Sequence, residues 1–351
     1  MKYFFIVQGE GMGHTTQSFA LRSMLERNGH SISDVYLGTN FLKQKNTLYK
    51  AFPHRTFFSP VFISRRDKKG INLTTTFLYN LFIFPVYIFE IISLSQRIRT
   101  SDAGAIIVFY DMIGQMAAFF SFSGKPVYSV SHHFFFSHPA FIWPADRKAE
   151  RNLLKFHSFL ASIGAKAKLA LSFTEENHIP RKKLFVVPPL LRPEILKTIP
   201  FAGDHIHIYL LQEGFLKFII EMAKEMPDKV FRIFMSKYKN ESELPGNVHV
   251  SLISGDEFLE SISTSGAVFC TAGFETLAEA IYLNKPLVVV PSAGHFEQYC
   301  NSLDALRAGV AVVIQDGTIG ELPAFSGNPG HTEFKKWSQG AEEIFLKYLT
   351  E

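Results

Sequence analysis

Two groups of residues in this chain have types and spacings suited to chemistry, and each sits where an apolar strand gives way to a helix. The first is Gln8 to Thr16, QGEGMGHTT, in which His14 opens a helix behind Gly9, Gly11 and Gly13. Glycines let the backbone pass close to a ligand, and the unpaired N–H groups of a helix start favour anions. An accessible histidine at such a point titrates near neutrality and can take the proton of a hydroxyl group. The second group lies in Cys270 to Ser302, CTAGFETLAEAIYLNKPLVVVPSAGHFEQYCNS. Two successive strand-to-helix turns there place Thr271, Gly273, Thr276, Glu279, Glu297 and Gln298 at one edge of a sheet. In open α/β sheets that edge is where ligands bind.

Rival chemistries fail on particular positions. A dinucleotide fingerprint needs glycine at position 14, where the chain has histidine. It also needs an acid ending the second strand, where the chain reads Leu37-Gly38-Thr39-Asn40. Ser131-His132-His133 closes a predicted strand, and the paired histidines belong to the same sheet edge as His14. They have only His138 nearby, with no carboxylate at ligand spacing, and the chain holds no Asp-x-Asp triplet. No metal site is expected.

Positioning these residues requires alternating strands and helices. Tyr3–Val7, Asp34–Leu37, Ala105–Phe109, Val127–Val130, Lys168–Ser172 and Leu184–Val187 read as strands, with helices over 14–28 and 112–122 and a helical stretch over 146–163. Pro188-Pro189 and Arg192-Pro193 then break regular structure. The pattern restarts with strands at 205–211, 230–235, 248–253, 267–270 and 287–290 and helices at 215–226 and 274–283. Uninterrupted apolar runs such as Leu287–Val290 are typical of buried parallel strands. The expected fold class is α/β, with two Rossmann-like parallel-sheet domains: residues 1–190 and 191–332. A final helix is expected from about Glu333 to Tyr348.

The block from Cys270 to Ser302 resembles the donor-sugar signature of nucleotide-sugar glycosyltransferases with the two-domain GT-B fold. It is similar to the lipid-acceptor N-acetylglucosaminyltransferases of peptidoglycan synthesis and to the UDP-glycosyltransferases. The resemblance implies that Glu279 grips ribose hydroxyls, that Glu297-Gln298 hold the sugar, and that Gly273 and Thr276 belong to the donor turn. By the same resemblance Ile253-Ser254 offer backbone groups to the base. Two domains would face each other across a cleft, the last helix, 333–351, would pack back on the first domain, and His14 would be the catalytic base with Asp111 as its orienting partner. Gly11, Gly13, His132 and His133 would line the acceptor side. Two positions depart from the pattern: Thr271 stands where the UDP-glycosyltransferases usually have a histidine on the donor phosphate, and Gln212-Glu213-Gly214 is leaner in glycine than related turns. The implied reaction is metal-independent, inverting transfer of a sugar from a nucleotide-sugar cosubstrate, UDP-linked, to a hydroxyl of a glycan or lipid-linked acceptor, with no separate cofactor. A UDP-sugar epimerase or hydrolase of the same fold, and a catalytically silent glycan- or lipid-binding protein, are the alternatives.

Composition sets outer bounds. The chain has 351 residues, 47% of them hydrophobic, with 36 phenylalanines and a formal net charge of +4. That charge is too weak to call for nucleic acid and is compatible with an anionic membrane or a phosphorylated substrate. Its 2 cysteines, Cys270 and Cys300, make no disulfide framework and read as small apolar residues of a reducing cytoplasm. Met1-Lys2 runs straight into YFFIV, which reads as a core strand and not as a signal peptide. Leu73 to Leu94 is long enough for a membrane span but is interrupted by Asn80, Pro85 and Glu90. A helix broken at Pro85, partly core and partly exposed, is expected. With Arg65, Arg66, Lys68 and Lys69 upstream, the segment fits either an interfacial docking surface at the inner membrane face or a buried helix beside a solvated basic loop.

Overall fold

The computed structural model describes residues 1–10, 12–40, 53–63, 72–210, 215–235, 238, 244–253, 255–292, 294–314 and 330–350. Gly11, the basic cluster at 65–69, Gln212-Glu213-Gly214 and Ser254 lie outside the described residues. The chain divides into two compact units, one of Met1–Phe62, Leu73–Arg192 and Trp337–Glu351, the other of Ile63–Asn72 and Pro193–Lys336.

In the first unit the strands are β1 (Lys2–Gln8), β2 (Ser31–Thr39), β3 (Arg55–Phe58), β4 (Ala105–Phe109), β5 (Val127–Ser131), β6 (Ala167–Leu171) and β7 (Leu184–Val187). They form one parallel sheet in the order β3-β2-β1-β4-β5-β6-β7. The helices are α1 (Gly13–Arg27), α2 (Leu73–Phe82), α3 (Phe84–Thr100), α4 (Met112–Phe120) and α5 (Lys148–Leu160). Strand order reverses at β1, so right-handed crossovers put α1 on one face and α3, α4 and α5 on the other. Phe4, Ile6, Ile106 and Val108 point to that second face, where they pack with Ile91, Leu94 and Ile98 of α3 and Ile113 and Ala117 of α4.

The second unit holds α6 (Pro193–Lys197), β8 (His205–Leu210), α7 (Leu216–Glu225), β9 (Val230–Met235), β10 (Val248–Leu252) and α8 (Gly255–Thr264). It continues with β11 (Ala267–Thr271), α9 (Phe274–Tyr282), β12 (Leu287–Val290), α10 (Phe296–Arg307) and β13 (Val312–Val313). Its sheet is also parallel, in the order β10-β9-β8-β11-β12-β13. β11 and β12 are neighbours, so the turns that follow them open side by side.

The structure departs from the sequence reading in places, among them the short helix α6, which starts at Pro193. β3 and β13 were not anticipated, because a four-residue edge strand reading RTFF and a two-residue strand carry little pattern. The expected single C-terminal helix is two, α11 (Gly330–Gln339) and α12 (Ala341–Thr350), divided at Gly340. α12 is fixed on the first unit by the Tyr3 hydroxyl, which donates to the Leu349 carbonyl at 2.9 Å, and by Arg27 and Asn28, each 2.7 Å from the Glu342 carboxylate. The apolar segment is broken as expected, though at Ile83. Pro85 falls in the first turn of α3, where a missing N–H costs nothing.

Candidate active site

At the C-terminal edge of the first sheet, three adjacent strands deliver three rings to one place. β1 leads through Gly9 and Glu10 to α1, where His14 is the second residue and half-buried. Gly9 has a steric reason: a Cβ there would stand 2.3 Å from the Gly38 carbonyl of β2, to which the Gly9 N–H donates at 2.9 Å. β4 is followed by Tyr110, a non-glycine residue held at φ 53°, in the left-handed region. Such backbone persists only where its surroundings determine it, and functional edges are where it concentrates. β5 ends in Ser131, and a short 3₁₀ helix, His132–Ser137, follows.

Tyr110 stacks on His133 with ring centroids 3.8 Å apart, and the His14 ring lies 5.7 Å from each of them. The His14 Nδ1 stands 3.2 Å from the Gln17 amide oxygen. An amide oxygen only accepts, so this contact places the ring proton on Nδ1, the tautomer in which Nε2 carries the lone pair. His133 has its Nδ1 2.7 Å from the Ser131 hydroxyl. The Tyr110 hydroxyl is 2.8 Å from Ser158 of α5. His132 points elsewhere, its Nδ1 donating to the Leu171 carbonyl at 2.7 Å.

The expected pairing of His14 with Asp111 is not formed. Asp111 is fully buried and caps α4, its Oδ1 accepting the Gly114 N–H at 2.7 Å and its Oδ2 the Ser59 hydroxyl at 2.6 Å. Gly38 is packed against that carboxylate, for a Cβ at position 38 would lie 2.4 Å from Oδ2. Burial pushes the Asp111 carboxyl up to about 6, against the lowering effect of its hydrogen bonds to Ser59 and Gly114. Gln17, which sequence reasoning passed over, holds His14 instead. Its position three residues along the same helix was a legible signal.

In the second unit the polar residues gather after β11 and β12. Thr271 ends β11 and its carbonyl accepts the Gly273 N–H at 2.7 Å. Gly273 has an extended backbone, φ −79°, and a Cβ there would meet nothing within 4 Å. Neither a left-handed turn nor a crowded neighbour calls for glycine at this point, so the missing side chain leaves open space beside the helix start. α9 follows with Glu275, Thr276 and Glu279 all buried. Burial raises the Tyr209 hydroxyl pKa, with the Cys270 thiol and the Glu279 carboxylate of α9 adding to it. Burial likewise pushes the Cys270 thiol up, in keeping with an inert packing role.

α10 ties the two turns together. The Asn301 amide donates to the Ala272 carbonyl at 2.9 Å, and the Gln298 amide oxygen accepts the Ser292 N–H at 2.9 Å. His295 caps the helix, its Nδ1 accepting the Gln298 N–H at 3.4 Å. Glu297 is half-exposed at the first turn. Three buried atoms here have no hydrogen-bond partner: Thr271 Oγ1, Ser292 Oγ and Asn301 Oδ1. Buried polar atoms are ordinarily bonded, so these three, without partners among the described residues, cluster around two neighbouring turns where a ligand or ordered water would complete them. Ile253, expected beside them, follows the edge strand β10 and has its N–H committed to the Met235 carbonyl at 3.1 Å. Among the described residues no group of three or more His, Cys, Asp or Glu side chains is arranged to hold a metal ion.

Comparison with known proteins places this architecture. The profile of glycosyl transferase family 1 matches residues 1–325. Among curated proteins none matches the sequence. Among solved structures, the glycotransferase of kitacinnamycin superposes with a TM-score of 0.63 at 13% identity, covering 99% of each chain. The glycosyltransferase SnogD from Streptomyces nogalater and MurG from Acinetobacter baumannii each give 0.60 at 14% identity, covering 100% of this chain and 99% of theirs. At such identities the likeness is one of fold.

Proposed function

The chain belongs to glycosyl transferase family 1 and has the GT-B fold, and from that premise we propose that it transfers a sugar from a UDP-linked donor to an acceptor hydroxyl with inversion. The observation that carries the donor half is the set of orphaned buried atoms, Thr271 Oγ1, Ser292 Oγ and Asn301 Oδ1, around the open space at Gly273. Hydroxyl groups donate to phosphate oxygens, and the N-termini of α9 and α10 add partial positive charge for a departing diphosphate. In this reading Thr271 takes the phosphate contact for which the UDP-glycosyltransferases use histidine. Glu279, buried in α9 behind the Gly273 turn, takes the ribose hydroxyls. Thr276, Glu297 and Gln298 take the sugar, with the Gln298 oxygen already fixed by Ser292.

The acceptor half rests on His14. Its Nε2 removes the acceptor proton while the acceptor oxygen forms its bond to the anomeric carbon, and the bond from that carbon to the diphosphate breaks on the opposite side. The electron pair leaves with the diphosphate and the proton stays on the imidazole. Gln17 fixes the tautomer that this requires. His133 and Tyr110 wall the approach to the base. The acceptor belongs to the glycan or lipid-linked class.

A panel of UDP-sugars screened by thermal shift tests the donor, because a ligand that binds only the folded state raises its apparent stability. The matching donor is then incubated alone and with candidate acceptors. Product only in the presence of acceptor supports transfer. Epimer or free sugar from the donor alone overturns it in favour of an epimerase or hydrolase, and binding with neither product points to a silent sugar-binding protein.

A further inference from the structure

The helix pair α2–α3 is amphipathic in the reverse sense for a helix facing water. Around its elbow the side chains of Tyr79, Asn80 and Glu90 turn inward to the unit's own chain. Asn80 donates to the Thr76 and Val61 carbonyls at 2.7 and 3.1 Å and accepts the Tyr87 hydroxyl at 2.6 Å. The Tyr79 hydroxyl donates to Asn40 at 2.7 Å, and Glu90 accepts the Phe58 N–H at 3.1 Å. Asn80 and Glu90 are two of the three residues that interrupt the apolar run in the sequence. Outward stand Phe77, Leu81, Phe82, Phe84, Phe89 and Ile92, with Phe82 84% and Phe89 69% exposed. Such a run of exposed rings and aliphatic chains is rare on a protein that meets only water.

The apolar surface continues over the neighbouring helices of the same sheet face. α3 packs on α4, and the α4 end exposes Phe119, Phe120 and Phe122. α4 packs on α5, which exposes Leu153, Phe156 and Phe159 among Lys148, Arg151 and Lys155. Arg97 and Arg99 are exposed in the last turns of α3. No single described helix is long and apolar enough to cross a membrane; α2 and α3 pass that test only as a pair bent by 58°. Because the inner side of the pair is tied to Phe58, Val61 and the core, it lies along a boundary and does not pierce it.

We propose that this face of the first unit seats on a bilayer containing acidic phospholipid, with the α2–α3 elbow in the interfacial zone and the cations of α5 and the α3 end against the headgroups. Lipid fits better than a protein partner. A protein interface carries about one hydrogen bond per 100–200 Å² to fix its register, whereas the outward row on α2–α3 offers none. Apolar rings beside scattered cations are what an anionic interface binds. The inference stands apart from the donor and base assignments and uses none of their residues.

Flotation of the full chain with phosphatidylcholine vesicles, and with vesicles of equal parts phosphatidylcholine and phosphatidylglycerol, tests it. Binding to the acidic vesicles, weakened by salt, is expected. Phe82→Ser with Phe89→Ser abolishes it, and Lys148→Glu with Lys155→Glu lowers it to the level seen with neutral lipid. Both pairs are exposed, and Lys155 gives up only its place 5.1 Å over the Trp143 ring, so thermal unfolding stays near that of the parent and separates lost binding from lost folding. Failure to float with acidic vesicles overturns the proposal, as does flotation indifferent to both pairs. A lipid-free dimer dissolved by the phenylalanine pair overturns it in favour of a protein contact.

Discussion

Ser59 donates its hydroxyl to Asp111 at 2.6 Å inside the first unit, joining positions 52 residues apart. That bond, with the Gly114 cap, gives Asp111 an architectural task at the edge of the sheet that presents His14. Asp111→Ala removes an N-cap and strands the Ser59 hydroxyl, so a loss of about 1–2 kcal/mol or more is expected by denaturant unfolding. Asp111→Asn keeps an acceptor for Gly114 and removes the buried charge. The folded carboxyl has its pKa raised from 3.8 to about 6. Its contribution is therefore fully present below about pH 4 and is lost as pH rises through about 6. The Asn variant should lose that dependence and match or exceed the parent in melting temperature at neutral pH.

His207 gives the opposite sign. It is fully buried between Phe234 and Phe258, with Ser261 on its Nδ1 at 2.9 Å, and burial lowers its pKa from 6.5 to about 3. Its contribution is present above about pH 6.5 and declines as pH falls toward about 3, because the unfolded chain takes up a proton that the core refuses. Melting temperature should fall steadily over that window, with a slope of up to about 1.4 kcal/mol per pH unit from this group. His207→Phe should flatten the slope. A slope unchanged in the variant would assign the acid sensitivity to other groups.

Much of the fold was legible because buried parallel strands are apolar throughout. Ala105–Phe109 and Leu287–Val290 could be bounded from sequence alone. The edge strand β3 could not, since Arg55 and Thr56 are exposed and its apolar half is two residues long. At the site, sequence placed Thr271 at a strand end, His14 at the start of a helix and Glu279 on the helix behind the Gly273 turn, as strand-to-helix turns dictate. It could not choose between Asp111 as a cap and Asp111 as a partner of His14, because Ser59 reaches it only through the fold. Nor did it flag Tyr110: a tyrosine at φ 53° is imposed by its surroundings and has no signature in composition or spacing.

Loss of the base should be severe and local. His14→Ala should lower the transfer rate on the order of 10²–10⁴-fold while leaving UDP affinity in calorimetry unchanged. Gln17→Ala removes the acceptor on Nδ1 and frees the ring to adopt either tautomer. A lower kcat with little change in KM is expected, since the acceptor still binds but meets a disordered base. Unaltered transfer in His14→Ala would remove it from the mechanism.

Thr271→Val separates a ligand-binding hydroxyl from a packing residue by the sign of two measurements. The side chain is fully buried, and its Oγ1 has no partner in the described structure. Valine has nearly the same shape and no hydroxyl, so it relieves the desolvation cost of the orphaned atom, about 1–3 kcal/mol. The free protein should become more stable. The same change deletes a donor that a diphosphate would use, so UDP affinity should fall, by about tenfold for a bond worth ~1.4 kcal/mol. Glu279→Gln should weaken UDP binding without the gain in stability, because its amide still fills the site. If Thr271→Val raised the melting temperature and left UDP affinity intact, the hydroxyl would be a packing defect and the phosphate contact would have to come from backbone amides at Gly273 and the start of α9.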